Sequence, residues 1–342
     1  MDLAQFKSRI KGDNLSGWYI FSGEEDYLKK YYMSSLRSRI VGDDAFLPFN
    51  HVVFDAADID FAAVAEAIKS PPMMSEYKLI EWRFANLNAM KEGEREALVS
   101  LFELKADHPY AVFAITTTSD GFDEGTPKRP SRLATRLREG FEILSFQKST
   151  DSQLLAWLKK HFDAEGVAVS LDVLKALLFR SGRSMDVLNN EVYKLSFYAK
   201  ANGKDSVTAS DVEAVASPST DSDAFALSNA VLERDQERAF AALLDLKARR
   251  VEPPVAVAML ERTYSELASV SLLLDEGRGA ADVESILRLH AFKAKLYIGA
   301  AKKIGSKKLG EALSELRRID AASKSGGISG YGAIEIFITK HI

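Results

Sequence analysis

In an α/β protein that handles nucleoside triphosphates, the turn after the first strand often carries G-x-x-x-x-G-K-[ST]. Its glycines let backbone N–H groups face the phosphates, and its lysine adds positive charge. The corresponding turn here is Ser22-Gly23-Glu24-Glu25-Asp26-Tyr27-Leu28-Lys29-Lys30. Gly23 is its sole glycine, and Glu24, Glu25 and Asp26 put negative charge where phosphates would lie. Such acids suit the positive end of a helix, which is a structural reason for their presence. Lys29 and Lys30 supply cations without the cradle that would position a triphosphate. No phosphate loop occurs elsewhere in the sequence. The G-x-G of Gly330-Tyr331-Gly332 closes a glycine-rich stretch, 326–332, that follows a helical pattern and is expected to be a loop.

Other chemistries find no better foothold. The absence of cysteine rules out a disulfide, a thiolate metal site and a thiol nucleophile. His51, His108, His161, His290 and His341 are scattered without metal-ligand spacing. There is no G-x-S-x-G elbow, H-E-x-x-H or kinase signature set, and nothing in the spacing of the carboxylates pairs an acid with a base. The sequence therefore predicts no catalytic, cofactor-binding or metal-binding residue.

Two stretches could instead meet a partner. In Ser70-Pro71-Pro72-Met73-Met74-Ser75, two prolines stiffen the backbone and remove N–H donors ahead of two flexible, polarizable methionines. Met73 and Met74 fit either core packing beside an apolar strand or outward presentation. Toward the C-terminus, Lys293, Lys295, Lys302, Lys303, Lys307, Lys308, Arg317 and Arg318 form a cationic excess. It reads either as solvated helix faces or as contact with DNA or an acidic subunit surface. Trp157, Phe162 and Phe179 are expected in the core.

The elements that position these residues change type along the chain. Apolar runs at Gly17–Gly23, Phe49–Ala56, Tyr77–Trp82, Tyr110–Thr118 and Gly140–Phe146 alternate with helical patterns, which predicts a mainly parallel sheet flanked by helices. After about residue 147 the pattern is helical almost throughout. A helix entered through Thr208 or Ser210 is expected near 209–215, a linker at Ser217–Asp223, and helix breaks at Glu252–Pro254, Gly277–Gly279, Gly305 and 326–332. With 342 residues, two or three domains are expected, at 1–147, 148–217 and 218–342. The first residues lack a basic start and a long apolar stretch, and no window approaches the roughly 18 apolar residues of a membrane span. A cytoplasmic protein without membrane contact is expected, and a net charge of −4 argues against one that is basic all over.

Trp18–Tyr32 resembles the strand, Gly-acidic turn and Tyr-Leu helix that open the delta subunit of the bacterial DNA polymerase III clamp loader. Ser181–Ala199, with its Gly-Arg turn, Asn190-Glu191 and Lys194-Leu195, followed by Val207–Val215, resembles that family's second-domain signature. Asp320 and Lys324 sit at the places of its Asp-x-x-x-Lys helix. The resemblance spans nearly the whole chain. It implies an AAA+-like α/β domain lacking a phosphate loop (1–147), a small helical lid (148–217) and a helical collar (218–342). It also implies a subunit of the DNA-directed DNA polymerase III holoenzyme that has no active site of its own and opens the ring-shaped sliding clamp without hydrolysing ATP.

On that resemblance, the implied clamp-binding residues are Pro71, Pro72, Met73 and Met74, where members commonly carry leucine and phenylalanine. Lys302, Lys303, Lys307 and Lys308 are candidates for DNA or subunit contact. The implied partners are the beta clamp, the tau/gamma ATPase subunits, delta-prime and, through the complex, primer-template DNA; no cofactor is implied. The residues taken alone leave open a divergent nucleotide-binding ATPase and a helical scaffold unrelated to replication.

Overall fold

Strands that are apolar at successive positions need cover on both faces, and this requirement shapes the first part of the chain. The computed structural model describes residues 2–12, 14–41, 44–55, 59–126, 128–289, 291–324 and 330–341, and the chain forms two compact units, 1–149 and 150–342. In chain order the first unit contains α1 (Leu3–Lys11), β1 (Trp18–Ser22), α2 (Asp26–Val41), the single turn α3 (Leu47–Asn50), β2 (His51–Asp55), α4 (Phe61–Lys69) and β3 (Lys78–Ala85). It continues with α5 (Glu92–Ser100), β4 (Ala111–Thr117), the short hairpin β5 (Gly125–Thr126) and β6 (Arg129–Pro130), α6 (Arg132–Leu137) and β7 (Glu142–Ser145).

Five of these strands form one all-parallel sheet in the order β2-β3-β4-β1-β7. Because side chains alternate along a strand, each central strand feeds two cores. Tyr19, Phe21, Val112 and Ala114 meet Phe6 of α1 and Tyr32, Met33 and Leu36 of α2. Trp18, Ile20, Phe113 and Ile115 meet Val64 and Ile68 of α4, Leu98 of α5 and Leu137 of α6. The five expected strands are present. Helices α1 and α6 and the small hairpin were not expected. In α2, Tyr32 and Met33 turn inward and Tyr31 lies exposed.

The second unit is entered at Thr150, whose hydroxyl caps α7 (Asp151–Ala164) while the Gln153 side chain returns to the Thr150 N–H. Here β8 (Ala168–Val169) pairs in parallel with β9 (Ser206–Val207) beside α8 (Leu171–Ser181), α9 (Met185–Ala201) and α10 (Ala209–Val215). Of the two expected caps, it is Thr208 that accepts from the Asp211 N–H. The linker expected at 217–223 is shorter. Ser219 accepts from the Ser222 N–H and starts α11 (Thr220–Leu232), because a Ser-Thr-Asp sequence caps a helix as readily as it makes a loop.

Then follow α12 (Gln236–Ala248), α13 (Pro253–Asp275), α14 (Ala280–Leu287), α15 (Ala291–Ile304), α16 (Ser306–Lys324) and α17 (Gly332–His341). They share a core that includes Leu227, Leu243, Leu260, Tyr264, Leu316 and Phe337. The breaks at Gly277–Gly279 and Gly305 fall where expected, whereas the one expected at Glu252–Pro254 lies earlier, because Pro253 and Pro254 open α13. The glycine-rich stretch 326–332 lies largely outside the described residues.

One buried charge cluster lies on the sheet. Glu81 on β3 accepts from both Nε and Nη2 of Arg83, at 2.9 and 3.0 Å, and lies 2.7 Å from the His51 ring on β2. Burial would raise the Glu81 carboxyl, but the hydrogen bonds from His51 and Arg83 outweigh it and hold the group at about 2. A carboxyl depressed in the folded chain contributes stability above its ordinary value of 4.5, and that contribution is lost as pH falls toward about 2. Chemical denaturation between pH 6 and pH 2 is expected to show this acid loss, and Glu81→Gln to reduce its amplitude. Superimposable acid limbs in the two proteins would contradict the assignment.

Candidate functional site

Counting from Gly23, the phosphate-loop spacing would put its second glycine at residue 28, its lysine at 29 and its hydroxyl residue at 30, where the chain has Leu28, Lys29 and Lys30. Lys29 thus stands at the lysine position, which the reading of this turn by its glycines had missed. Its ammonium is almost fully buried, and all three donors are occupied. It donates to the Gly23 carbonyl at 2.7 Å and to the Thr117 carbonyl at 2.8 Å, and it lies 2.9 Å from Asp26. The turn above it is closed by β7. Glu25 N–H donates to the Phe146 carbonyl at 2.9 Å, and Phe146 N–H returns a bond to Ser22 O at 2.8 Å. Gly23 has φ +96°, and a Cβ there would lie 2.4 Å from the Phe146 oxygen, so this close approach requires glycine. The buried Glu25 carboxylate has the Lys148 ammonium 3.6 Å away.

The Met73–Met74 segment has the opposite character. Both side chains are exposed, Met74 by 84%, which removes the core-packing reading. The loop that carries them is anchored along its length. Asn50, fully buried at the end of α3, donates from Nδ2 to the Met73 carbonyl and accepts the Met73 N–H on Oδ1, both at 2.7 Å. Ser75 Oγ donates to the Ile40 carbonyl at 2.8 Å. On the approach, Tyr110 OH donates to Lys69 O at 2.7 Å, and Lys78 Nζ bonds Ser70 Oγ at 2.9 Å. Pro71 is exposed and Pro72 half-buried. Met74 sits at φ +54°, in the left-handed region, so the pair is held in a specific and mildly strained presentation. Phe49, one residue before Asn50, is also exposed. Sequence reasoning missed Asn50 because its partner lies 23 residues away and no local spacing signals the pair.

The four candidate lysines gather at one corner. Lys302 and Lys303 end α15, Gly305 turns the chain at φ +83°, and Lys307 and Lys308 lie in the first turn of α16. All four are exposed. Lys303 lies 3.5 Å from Glu233, whereas the other three have no carboxylate partner among the described residues. The first pair suits the negative end of α15, but the second opposes the positive end of α16. Trp157 is partly buried, Phe162 is buried, and Phe179 is partly buried with its ring edge-on to Phe225 at 5.5 Å. Asp320 lies on α16, which also contains residue 324. Among the described residues no group of His, Asp and Glu could hold a metal ion, and no helix is long and apolar enough to cross a membrane.

A five-stranded parallel sheet with its phosphate-loop position filled, followed by a long series of helices, is an α/β domain with an all-α extension. The fold is that of a clamp-loader delta protein. The solved Bacillus subtilis DNA clamp loader delta protein is similar with a TM-score of 0.58 and 19% identity, over 99% of this chain and 98% of that one. Sequence models described as "DNA polymerase III, delta subunit" and "DNA polymerase III delta subunit, C-terminal domain" match residues 19–121 and 221–341, together about two thirds of the chain. DNA polymerase III subunit delta of Bacillus subtilis is 21% identical over 338 residues, 97% of this chain and 94% of that protein. The chain belongs to the DNA polymerase III delta-subunit family.

The Asn50 anchor predicts a measurable local stiffness. Asn50→Ala is expected to speed hydrogen exchange of the Met73 amide by about tenfold or more and to lower stability by about 1–2 kcal/mol, with the sheet otherwise intact. An unchanged Met73 exchange rate would show that the loop is held by other means.

Proposed function

We propose that this chain binds a ring-shaped sliding clamp through Met73 and Met74 and stabilises the open ring. The observation that carries this reading is the outward presentation of two methionines on a loop fixed from below by a buried asparagine. Exposed side chains with many rotamers usually cost entropy when they bind. Here the backbone beneath them is already ordered, and the thioether chains can still adapt to a pocket. Opening requires that the open ring be bound more tightly than the closed one, since equal affinity would shift nothing. The chain does not hydrolyse ATP in this reading, because Lys29 is engaged by two carbonyls and a carboxylate. ATP acts through tau/gamma-type subunits beside it.

The second unit, in the same reading, comprises a small helical lid to about residue 217 and a collar beyond it that joins the other loader subunits, delta-prime included. Lys302, Lys303, Lys307 and Lys308 then face an anionic partner, either primer-template DNA held by the complex or an acidic subunit surface. Opposition between Lys307, Lys308 and the α16 dipole supports a partner there, because anionic contact would relieve it.

Met73→Ala with Met74→Ala is expected to weaken clamp binding by the purified chain, without nucleotide, by about tenfold or more. Thermal unfolding should stay unchanged, because neither side chain is in the core. Undiminished affinity defeats the site assignment. Changing the four lysines to Glu is expected to lower the affinity of the assembled loader for primed DNA and to flatten its salt dependence. If loader assembly falls instead, the patch meets a subunit.

A further inference from the structure

A second feature of the first unit lies outside this reading. At the carboxyl ends of β3 and β4, on the side covered by α2, there is an open cleft of about 570 Å³. Its three walls come from α2, from the end of β3 and from the Thr116–Ser119 segment that ends β4.

The β3 wall is irregular. Pairing with β4 shifts register between Trp82 and Ala85, so that Arg83 and Phe84 fall in a bulge. Phe84 has φ +55° and is 64% exposed, with its ring lining the cleft. Neither position is explained by the core. A left-handed backbone is unfavourable for a bulky residue, and an exposed ring gains nothing from burial. Bulges of this kind re-aim side chains beside binding sites.

The α2 wall places Lys30, Met33 and Arg37 on one helix face. Charge in the cleft is unevenly compensated. Lys29 is matched by Asp26, and Arg83 by Glu81. Lys30 and Arg37 are exposed and meet no carboxylate among the described residues. On the β4 wall, the buried hydroxyl oxygens of Thr116 and Thr118 have no hydrogen-bond partner.

The cleft thus combines an exposed aromatic ring with two exposed cations that meet no carboxylate among the described residues. We infer that it binds a nucleoside phosphate, the base stacked on Phe84 and the phosphate held by Lys30 and Arg37. A peptide with acidic residues would satisfy the cations, but it gives no reason for a strained, exposed phenylalanine. Stacking on a planar base does. The nucleoside phosphate can be a free nucleotide or one unit of a single strand. The site is distinct from the filled phosphate-loop position, because its anion is held on the α2 face by Lys30 and Arg37 and not by Lys29. It is a site of binding, with no bond made or broken.

The test uses the full chain, titrated calorimetrically with deoxyadenosine monophosphate, with inorganic phosphate and with a 5′-phosphorylated single strand of about ten nucleotides. Phe84→Gly is expected to weaken nucleotide binding by about tenfold or more, in line with the value of base–aromatic stacking. It should leave any inorganic phosphate binding unchanged. Its unfolding temperature should not fall, because glycine accepts the positive φ that phenylalanine resists. Arg37→Glu, an exposed change, is expected to abolish binding of all three ligands at the cleft. Binding of the monophosphate assigns the free nucleotide, and binding of the strand alone assigns a strand unit. The inference is overturned if neither nucleotide form saturates, if binding survives both substitutions, or if only an acidic peptide is bound. Each of these outcomes leaves the Met73–Met74 reading standing, since that loop is untouched.

Discussion

The carboxyl edge of the sheet is organised around one buried ammonium. Lys29 joins the turn after β1, the first turn of α2 and the end of β4 through bonds to the Gly23 carbonyl, the Thr117 carbonyl and Asp26. Burying a charge is costly unless it is paired and hydrogen-bonded, and three partners for three donors meet that condition. A separate pair of backbone bonds ties the same turn to Phe146, whose carbonyl takes the Glu25 N–H that a phosphate oxygen would need. A lysine that in an ATPase would face solvent and phosphate serves here as an internal strut. The phosphate-loop position is thus occupied by the chain's own backbone and by the Lys29 ammonium.

In the same unit the apolar side chains of Met73 and Met74 stay out of the core. Asn50 achieves this by standing in for a neighbouring strand. Its amide supplies one donor and one acceptor to the Met73 main chain, as a strand partner would, at 2.7 Å each. Because the asparagine is fully buried, water competes little for its amide. Pro71 and Pro72 narrow the backbone choices on the entry side. The methionine side chains themselves stay exposed.

Much of the fold was legible because its signals are local. Continuous apolar strands alternating with amphipathic helices leave a covered parallel sheet as the natural outcome, and the glycine and proline breaks in the second unit act within a residue or two of themselves. What escaped was set by distance or by degeneracy. Helix α6 is only six residues long and carries two arginines on its outer side, so it offers little periodicity to read. Tyr31 and Tyr32 are adjacent, and helical spacing alone could not choose which turns inward. The Ser-rich stretch at 217–223 has the composition of both a linker and a helix cap. Asn50 and Lys29 act through partners that become neighbours only once the sheet is built. The exposure of Met73 and Met74 is likewise a property of the assembled loop.

Backbone strain separates ordinary irregularity from features that need another explanation. Five non-glycine residues among those described have positive φ: Met74, Phe84, Arg234, Arg250 and Arg288. The three arginines follow the ends of α11, α12 and α14, where a left-handed residue commonly closes a helix and satisfies its last carbonyls. Met74 and Phe84 follow no helix. Both are large and apolar, both are mostly exposed, and both lie on the first unit, at opposite ends of β3. Natural sequences tend to break local rules where function outweighs stability. Neither side chain belongs to the buried core of the sheet. One strand thus carries two outward apolar groups, one on the anchored loop before it and one in the bulge near its end. The core of the sheet explains the strand between them but not the two exposed side chains at its ends.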